Sequence, residues 1–220
     1  MNYILNIETS TKNCSVAIAK EGEMIVCKEI AEIGYSHAEK LHVFIEETLT
    51  EVNLKFSDLK AIAVSQGPGS YTGLRIGVSA AKGLCYALDI PLIAVDTLEI
   101  LASQISIQEG VIVPMIDARR MEVYSAIFDK NHQKIRDTKA EILTEESFSD
   151  LNQTVYFVGD SSTKAKTLLQ KDNFIFSDDF IYPSAKQMTK KSYTLFTNNR
   201  FEDVAYFEPF YLKDFFSKND

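Results

Sequence analysis

The order in which strands and helices follow one another limits what this chain can fold into more than any other feature of its sequence. Apolar runs and alternating patterns predict three strands, a helix, a strand, a second helix and another strand in the first half. A capping pattern, Ser36 followed by Glu39, marks the start of the first helix. The predicted strands lie at residues 3–7, 14–19, 24–30, 61–65 and 91–95, and the predicted helices lie at 36–53 and 71–88.

That element order is typical of one ribonuclease-H-like lobe, and the second half of the chain begins it again. A strand at 111–117 is followed by one at 122–128, and the first strand of each half ends in an acidic residue, Glu8 or Asp117. A strand at 155–158, a Gly-Asp loop and a helical segment then parallel the earlier strand, glycine loop and helix. Two facing copies of such a lobe are the plan of actin-like ATPases and sugar kinases.

We therefore predict an α/β fold of the actin-like ATPase and sugar-kinase type, with two duplicated ribonuclease-H-like lobes. The N-terminal lobe is predicted to span residues 1–106, and a smaller, degenerate C-terminal lobe is predicted to span residues 107–220. The chain is long enough for two such units. The aromatic-rich segment at 201–216 is expected to pack back on a domain, with the first lobe as the candidate.

Charge and composition argue against several functional classes. The formal net charge is -8, whereas a chain that binds nucleic acid tightly by itself needs clustered Lys and Arg. The densest basic stretch, around Lys186, Lys190 and Lys191, is short, so we expect another subunit to hold most of any RNA. We find no signal peptide and no apolar run of the roughly 20 residues that a membrane helix needs. Three cysteines without a C-x-x-C spacing are expected to be reduced thiols, so we place the chain in the cytoplasm.

A glycine-rich segment at residues 66–77 carries the strongest local signal. It joins a strand to a helix N-terminus, a geometry that can present backbone N–H groups to an anion, although no Gly-Lys-Ser/Thr follows as in a Walker loop. The alternative is a tight connection in which the glycines only permit unusual backbone angles. With the ends of the first strands, the segment gives these candidates for a degenerate nucleotide or phosphate site: Glu8, Thr9, Ser10, Gly67, Gly69, Ser70 and Asp117.

The helix after this segment is rich in small residues. Its polar side chains share one narrow face of the helical wheel: Arg75, Ser79, Lys82 and Tyr86. Gly73, Gly77 and Ala81 recur every four residues, and each glycine costs about 1 kcal/mol relative to alanine inside a helix. Close approach of a neighbouring element would offset that cost. We predict two partners for this helix, its own sheet and a second helix from this chain or another protein; a core formed wholly within the chain is the alternative.

The histidines do not form a recognisable metal site. His37 and His42 are five residues apart on the first predicted helix, whereas a helical metal-binding pair needs a spacing of three or four. The residue four after His37 is Leu41, which cannot bind a metal, and His132 lies in a polar turn. We predict no metal site. No Ser/His/Asp arrangement is supported either, so no catalytic residue is assigned to this chain.

Four motifs give the chain a resemblance to a known family. They lie at residues 7–10 (IETS), 36–41 (SHAEKL), 67–77 (GPGSYTGLRIG) and 114–124 (PMIDARRMEVY). With these motifs the chain resembles the TsaB (YeaZ) family of tRNA threonylcarbamoyladenosine biosynthesis proteins, over most of its length and most strongly in the first half. Glu8 replaces the Asp expected in the family, and Met121 stands where Gly is common. Both departures weaken the case for a nucleotide pocket.

The resemblance implies a non-catalytic scaffold for TsaD, a paralogue that keeps the metal and nucleotide sites. In TsaD a His-x-x-x-His pair on the first helix binds the metal, and Leu41 stands here at the second position. Members of the family pair with TsaD through their first two helices, packed as a four-helix bundle. The resulting interface candidates are His37, Leu41, Phe44, Thr48, Gly73, Leu74, Gly77, Val78, Ala81 and Cys85.

The resemblance also implies the reaction of the complex. Together with the ATPase TsaE, the complex transfers a threonylcarbamoyl group to N6 of the adenosine beside the anticodon of tRNAs that read codons beginning with A. We therefore expect no cofactor in this chain, ATP or ADP and metal at the partner subunits, and tRNA bound only through the complex. No membrane is involved. A homodimer is a hypothesis for the chain when TsaD is absent.

Two other functional classes stay open at this point. The wider family resembles proteins once described as metallopeptidases, and the missing second histidine ligand argues against a metal-dependent hydrolase. A stand-alone ATPase or small-molecule kinase of the actin-like fold is the other class, and only fragments of the residues that it requires are present.

Overall fold

The structure, a computed structural model, describes residues 1–31 and 37–212, so the predicted helix cap at Ser36 lies outside the described residues. The first half contains β1 (Tyr3–Glu8), β2 (Asn13–Lys20), β3 (Glu23–Ala31), α1 (His37–Glu51), β4 (Leu59–Gly67), α2 (Tyr71–Leu88), β5 (Leu92–Asp96) and α3 (Thr97–Ala102). The second half contains β6 (Val111–Asp117), β7 (Glu122–Asp129), β8 (Lys134–Ile142), β9 (Val155–Val158), α4 (Ser162–Lys166), β10 (Phe174–Phe176) and α5 (Ala185–Thr197).

The strands form two sheets with the same topology. The first sheet has the order β3-β2-β1-β4-β5, and the second has the order β8-β7-β6-β9-β10. In each sheet the first three strands along the chain pair antiparallel, and the last two run parallel to the central strand. Because order and direction agree strand by strand, the predicted duplicated two-lobe α/β fold is confirmed.

The second lobe differs from the sequence prediction in two places, and in a third place it differs from the first lobe. The strand β8 was not indicated, because its side chains alternate between exposed and half-buried and provide no apolar run. A series of turns at 145–150 stands where α1 stands in the first lobe. The helix predicted at 163–170 is real but short, since α4 has only five residues. The second sheet therefore carries less helical cover than the first.

The helices α1 and α2 cover the outer face of the first sheet. Leu41 and Ile45 of α1 and Val78 of α2 are at most 4% exposed, and they pack against strand residues such as Val16 and Val64. Burial of each such side chain stabilises the fold by about 1.5–3 kcal/mol relative to leaving it in water. One face of each helix is therefore committed to the sheet.

The two lobes exchange one helix each across their inner faces. From the first lobe, α3 packs on the second sheet through Leu98 and Leu101. From the second lobe, α5 packs on the first sheet through Ala185 and Met188. All four side chains are fully buried. The cores of the two lobes are thus continuous with each other through these helices.

The glycines of α2 are required by the turn between β1 and β2. A Cβ atom at Gly73 would overlap the carbonyl oxygen of Thr9, and one at Gly77 would overlap its Oγ1 atom. The Thr9 hydroxyl also donates a hydrogen bond of 2.8 Å to the carbonyl of Gly73. At Gly83, in contrast, a Cβ atom would meet no atom within 4 Å. The cost of the first two glycines is therefore offset by a contact inside the chain.

This contact gives a first testable pair of variants. We expect Gly73→Ala to lower the free energy of unfolding by about 2–3 kcal/mol, because the added methyl group overlaps a backbone atom of Thr9 that cannot rotate away. Gly83→Ala is the matched control in the same helix, and it should raise the free energy of unfolding by up to about 1 kcal/mol. Urea unfolding of both variants measures the difference. Equal effects of the two substitutions would contradict the proposed close contact.

Candidate functional site

The predicted phosphate-binding turn between β1 and β2 is closed. Glu8, Thr9 and Ser10 are completely buried. The Oε1 atom of Glu8 accepts hydrogen bonds from the backbone N–H (2.6 Å) and the hydroxyl (2.5 Å) of Ser10. The carboxylate therefore folds back onto its own turn and does not reach a surface where it could meet a phosphate or magnesium ion.

Two backbone N–H groups of the glycine loop above this turn are bonded within the chain. The N–H of Ser70 donates to the carbonyl of Ser10 (2.6 Å), and the N–H of Gly67 donates to the Thr97 hydroxyl (3.1 Å). A Cβ atom at Gly69 would overlap Ser10, and one at Gly67 would press on the carbonyl oxygen of Phe210. The glycines therefore allow a tight connection, and the geometry does not fit a phosphate group.

The last candidate of this group lies in the other lobe. Asp117 ends β6, and its Oδ1 atom is 2.5 Å from Nζ of Lys164. Its carboxylate is thus paired on the surface, while Glu8 is buried in the first lobe. Glu8 is buried in its turn and Asp117 is paired on the surface, so the seven predicted residues do not all line one open surface. A nucleotide or phosphate site formed by them stays a prediction.

Burial gives Glu8 an unusual titration. Removal from water raises the pKa of its carboxyl group from 4.5 to about 7, against the opposing effect of the Ser10 hydrogen bonds. Among the described residues, its Oε2 atom has no partner with hydrogen-bond geometry, although Ser65 lies near enough to lower the pKa slightly. The group is thus about half protonated near neutral pH. It serves the fold of the turn and contacts no surface.

The pKa of Glu8 predicts a pH-dependent stability. Because the folded chain holds this proton more tightly than the unfolded chain, the stabilisation is complete below about pH 4.5 and is lost as the pH rises through about 7. The loss should be on the order of 3 kcal/mol. Glu8→Gln removes the titrating carboxyl group. The free energy of unfolding of the variant, measured relative to that of the wild type by urea titration, should therefore rise between pH 5 and pH 8.

The matched control is Glu23→Gln at an exposed position of β3. Its difference from the wild type should stay constant over the same pH range. A constant difference for Glu8→Gln as well would show that the buried carboxyl does not titrate as described.

The predicted interface residues on α1 and α2 face mostly inward. Nine of the ten are buried in this chain: His37, Leu41, Thr48, Gly73, Leu74, Gly77, Val78, Ala81 and Cys85. Phe44 is half-buried and reaches the surface. Gly73 and Gly77 of the small-residue stripe face Thr9 of the same chain. In this chain alone the nine buried positions do not reach the surface, and their role as contact residues stays a prediction.

The opposite faces of the two helices are exposed side by side. On α1 the exposed residues are Ala38, Glu39, His42, Val43, Glu46, Glu47, Thr50 and Glu51, and on α2 they are Thr72, Arg75, Ser79, Gly83, Tyr86 and Ala87. We call these residues the outer helix face. Val43 is 45% exposed and Tyr86 is 87% exposed. Ser79, Gly83 and Ala87 repeat every four residues along α2, so this face has its own stripe of small residues.

The C-terminal segment 203–211 runs alongside α2 and borders the outer helix face. Nζ of Lys82 donates to the carbonyls of Ala205 (3.1 Å) and Phe207 (2.9 Å). Nε of Arg75 donates to the hydroxyl of Tyr211 at 3.2 Å. Arg75 and Lys82, the two cations on the narrow polar face of α2, thus both bind the C-terminal segment. The aromatic content of the segment signalled its packing, but nothing in the sequence indicated its partner.

A groove of about 620 Å³ lies between this segment and α2. Its lining residues are Lys82, Gly83, Tyr86, Asp203, Val204 and Ala205. The groove is open because Gly83 has no side chain. The outer helix face thus combines a flat small-residue strip with an aromatic side chain beside it.

The histidines are placed apart from one another. His37 is buried, with its Nε2 atom 3.3 Å from the carbonyl oxygen of Asn13. His42 is exposed on α1, and the ring of His132 contacts the carbonyl of Ile105 at 2.9 Å. Within residues 1–31 and 37–212, no three His, Cys, Asp or Glu side chains are grouped closely enough to hold a metal ion. In the same residues no helix is both long and apolar enough to cross a membrane.

Comparison with known proteins assigns the chain to a family. The model of the family described as TsaD, tRNA N6-adenosine threonylcarbamoyltransferase, matches residues 29–214. The tRNA threonylcarbamoyladenosine biosynthesis protein TsaB of Bacillus subtilis is 31% identical over 217 residues, which cover 96% of this chain and 93% of that protein. The chain belongs to the TsaB family.

Two further matches support this assignment and the fold. The structure of YeaZ from Pseudomonas aeruginosa has a TM-score of 0.84 and 25% sequence identity, and the match covers 96% of this chain and all of that one. A tRNA N6-adenosine threonylcarbamoyltransferase of Bacillus thuringiensis is 39% identical over 107 residues, or 42% of this chain and 31% of that protein. The predicted family is confirmed, and the chain shares part of its length with the transferase.

Proposed function

We propose that this chain is a non-catalytic subunit of the complex that makes threonylcarbamoyladenosine in tRNA, and that it binds the TsaD-type catalytic subunit through its outer helix face. The observation that carries the proposal is a two-helix surface with a small-residue strip, on a chain whose phosphate-binding turn is closed. Family membership gives the pathway. The closed turn argues against a stand-alone ATPase.

The outer helix face has the properties of a helix-binding surface. Ser79, Gly83 and Ala87 leave a strip on which the backbone of another helix can approach closely. Tyr86 stands beside this strip with 87% of its surface exposed, and large aromatic side chains of this kind often dominate the binding energy of an interface. Burying Tyr86 and Val43 against a partner would remove two exposed hydrophobic side chains from water.

Charge also distinguishes the two helices of this face. On α1, Glu39, Glu46 and Glu47 are exposed, whereas α2 presents Arg75. A partner that presents a similar pair of helices, turned round by a pseudo-twofold axis, would bring unlike charges together. The TsaD-type transferase would be such a partner, because part of this chain is similar to it. The same symmetry would allow a homodimer when that subunit is absent.

If this chain is non-catalytic, nucleotide, metal and tRNA must be bound elsewhere in the complex. The catalytic subunit and the ATPase TsaE would hold the ATP or ADP and the metal, and tRNA would bind to the complex as a whole. The complex would act in the cytoplasm. In this chain the glycine loop and the turn between β1 and β2 would fix the position of α2 on the sheet. Their role would thus be to hold the partner-binding surface in place.

The proposal predicts the effect of a bulky charge in the small-residue strip. Gly83→Arg should leave the fold intact, because arginine favours a helix more than glycine does and the site is open. It should weaken binding to the TsaD-type subunit by at least about tenfold, since a long side chain would separate the helices. Light scattering on a sizing column, with the two subunits mixed, measures the loss. Substitution of Gly77 would not isolate the interface, because it disturbs the contact with Thr9.

The control is Ile135→Arg, which adds the same side chain at a 57% exposed position of β8. This variant should bind the TsaD-type subunit as the wild type does. Normal binding by folded Gly83→Arg would place the interface elsewhere, and no complex with the wild type would overturn the proposed function itself.

A further inference from the structure

The turn between β6 and β7 places two arginines in an unfavourable backbone conformation. Arg119 has a φ of +72° and Arg120 a φ of +53°, in the left-handed region that favours glycine. Glycine at both positions would remove this cost. Arg119 and Arg120 are two successive residues in this region, and backbone strain of this kind concentrates at functional sites.

The turn is firmly held, but not by its arginine side chains. Nζ of Lys164 donates to the Oδ1 atom of Asp117 (2.5 Å) and to the carbonyls of Arg120 (3.0 Å) and Glu122 (2.6 Å). The N–H of Arg119 donates to Asp117 Oδ1 at 2.8 Å, and the N–H of Asp117 donates to Asp160 Oδ1 at 2.8 Å. These bonds fix the backbone of the turn and leave both guanidinium groups out.

Both guanidinium groups point into open surface. Arg119 and Arg120 are exposed, and neither forms an ion pair with another residue in the described part of the chain. A fixed turn with two free guanidinium groups is preorganised to bind an anion, because each planar group can donate two parallel hydrogen bonds to a phosphate.

The acids beside the turn do not neutralise the two arginines. Asp117 is paired with Lys164 at 2.5 Å, and the Oδ1 atom of Asp160 accepts the N–H of Asp117 at 2.8 Å.

The shape of the site indicates whether it suits a nucleoside triphosphate or a chain of phosphodiesters. A nucleoside triphosphate needs a concave cradle of N–H groups, and the loop that could have formed one is closed over Ser10. Two exposed guanidinium groups on adjacent residues suit an extended chain of phosphodiesters instead. We propose that Arg119 and Arg120 contact the phosphodiester backbone of RNA, which within the proposed function is the tRNA bound by the complex. Two cations on a chain of net charge -8 make this an auxiliary contact.

The test is the double variant Arg119→Gly/Arg120→Gly. Fluorescence anisotropy with an unmodified anticodon stem-loop RNA is measured at several salt concentrations, on this chain alone and on its complex with the TsaD-type subunit. We expect affinity to fall roughly tenfold at about 50 mM salt, and the slope of log K against log salt to become shallower by about 1.5–2. The thermal midpoint should rise by about 2–4 °C, because the backbone strain is relieved.

The control is Lys60→Ala/Lys130→Ala, which removes two exposed cations elsewhere. It should change the salt slope by less than half as much as the double glycine variant. An unchanged slope for the glycine variant, no detectable RNA binding by wild-type chain or complex, or binding of Mg-ATP that is lost in this variant would each overturn the RNA assignment. Light scattering reports complex formation separately, so a failure of the proposed function would be recognised as such.

Discussion

The close contact between α2 and the turn after β1 determines the arrangement of the first lobe. Thr9 lies against Gly73 and Gly77, and Ser10 lies against Gly69, with distances that leave no room for a side chain at any of the three. The glycine loop can bond to the turn only because the backbones meet. The N–H of Ser70, for example, donates to the carbonyl of Ser10 at 2.6 Å. One packing contact therefore builds the lobe and brings the glycine loop down onto the turn.

The contact also sets the rotation of α2 about its axis. Gly73 and Gly77 face Thr9, and Ser79, about half a turn from Gly77, is exposed. Gly83 is exposed as well, and a Cβ atom there would meet no atom within 4 Å. One orientation of the helix therefore produces both an inward and an outward strip of small residues. The inward strip allows the close packing against Thr9, and the outward strip stays exposed.

The sequence predicted the strand order well, because buried strands such as β1 and β4 are continuous apolar runs. It did not reveal β8, where Arg136 and Glu141 form an ion pair with each other and interrupt any apolar pattern. For the small residues of α2, the sequence alone could not say what they face. A repeat of small residues every four positions shows that something approaches closely, but whether that is Thr9 or another protein depends on contacts distant in sequence. The packing of α3 on the second sheet and of α5 on the first sheet also depends on contacts distant in sequence, so the sequence pattern did not predict it.

The turns after β1 and after β6 are equivalent in the two lobes, but the first is buried and the second is exposed. After β1, the turn is covered by α2 and its loop, and its carboxylate, Glu8, is buried and partly protonated. After β6, no long helix covers the turn, because α4 has only five residues, and Arg119 remains exposed beside Asp117. The duplication therefore supplies one turn that can serve only the fold and one that can still meet a ligand. The same topology can in this way bury a carboxylate at one turn and expose two arginines at the equivalent turn.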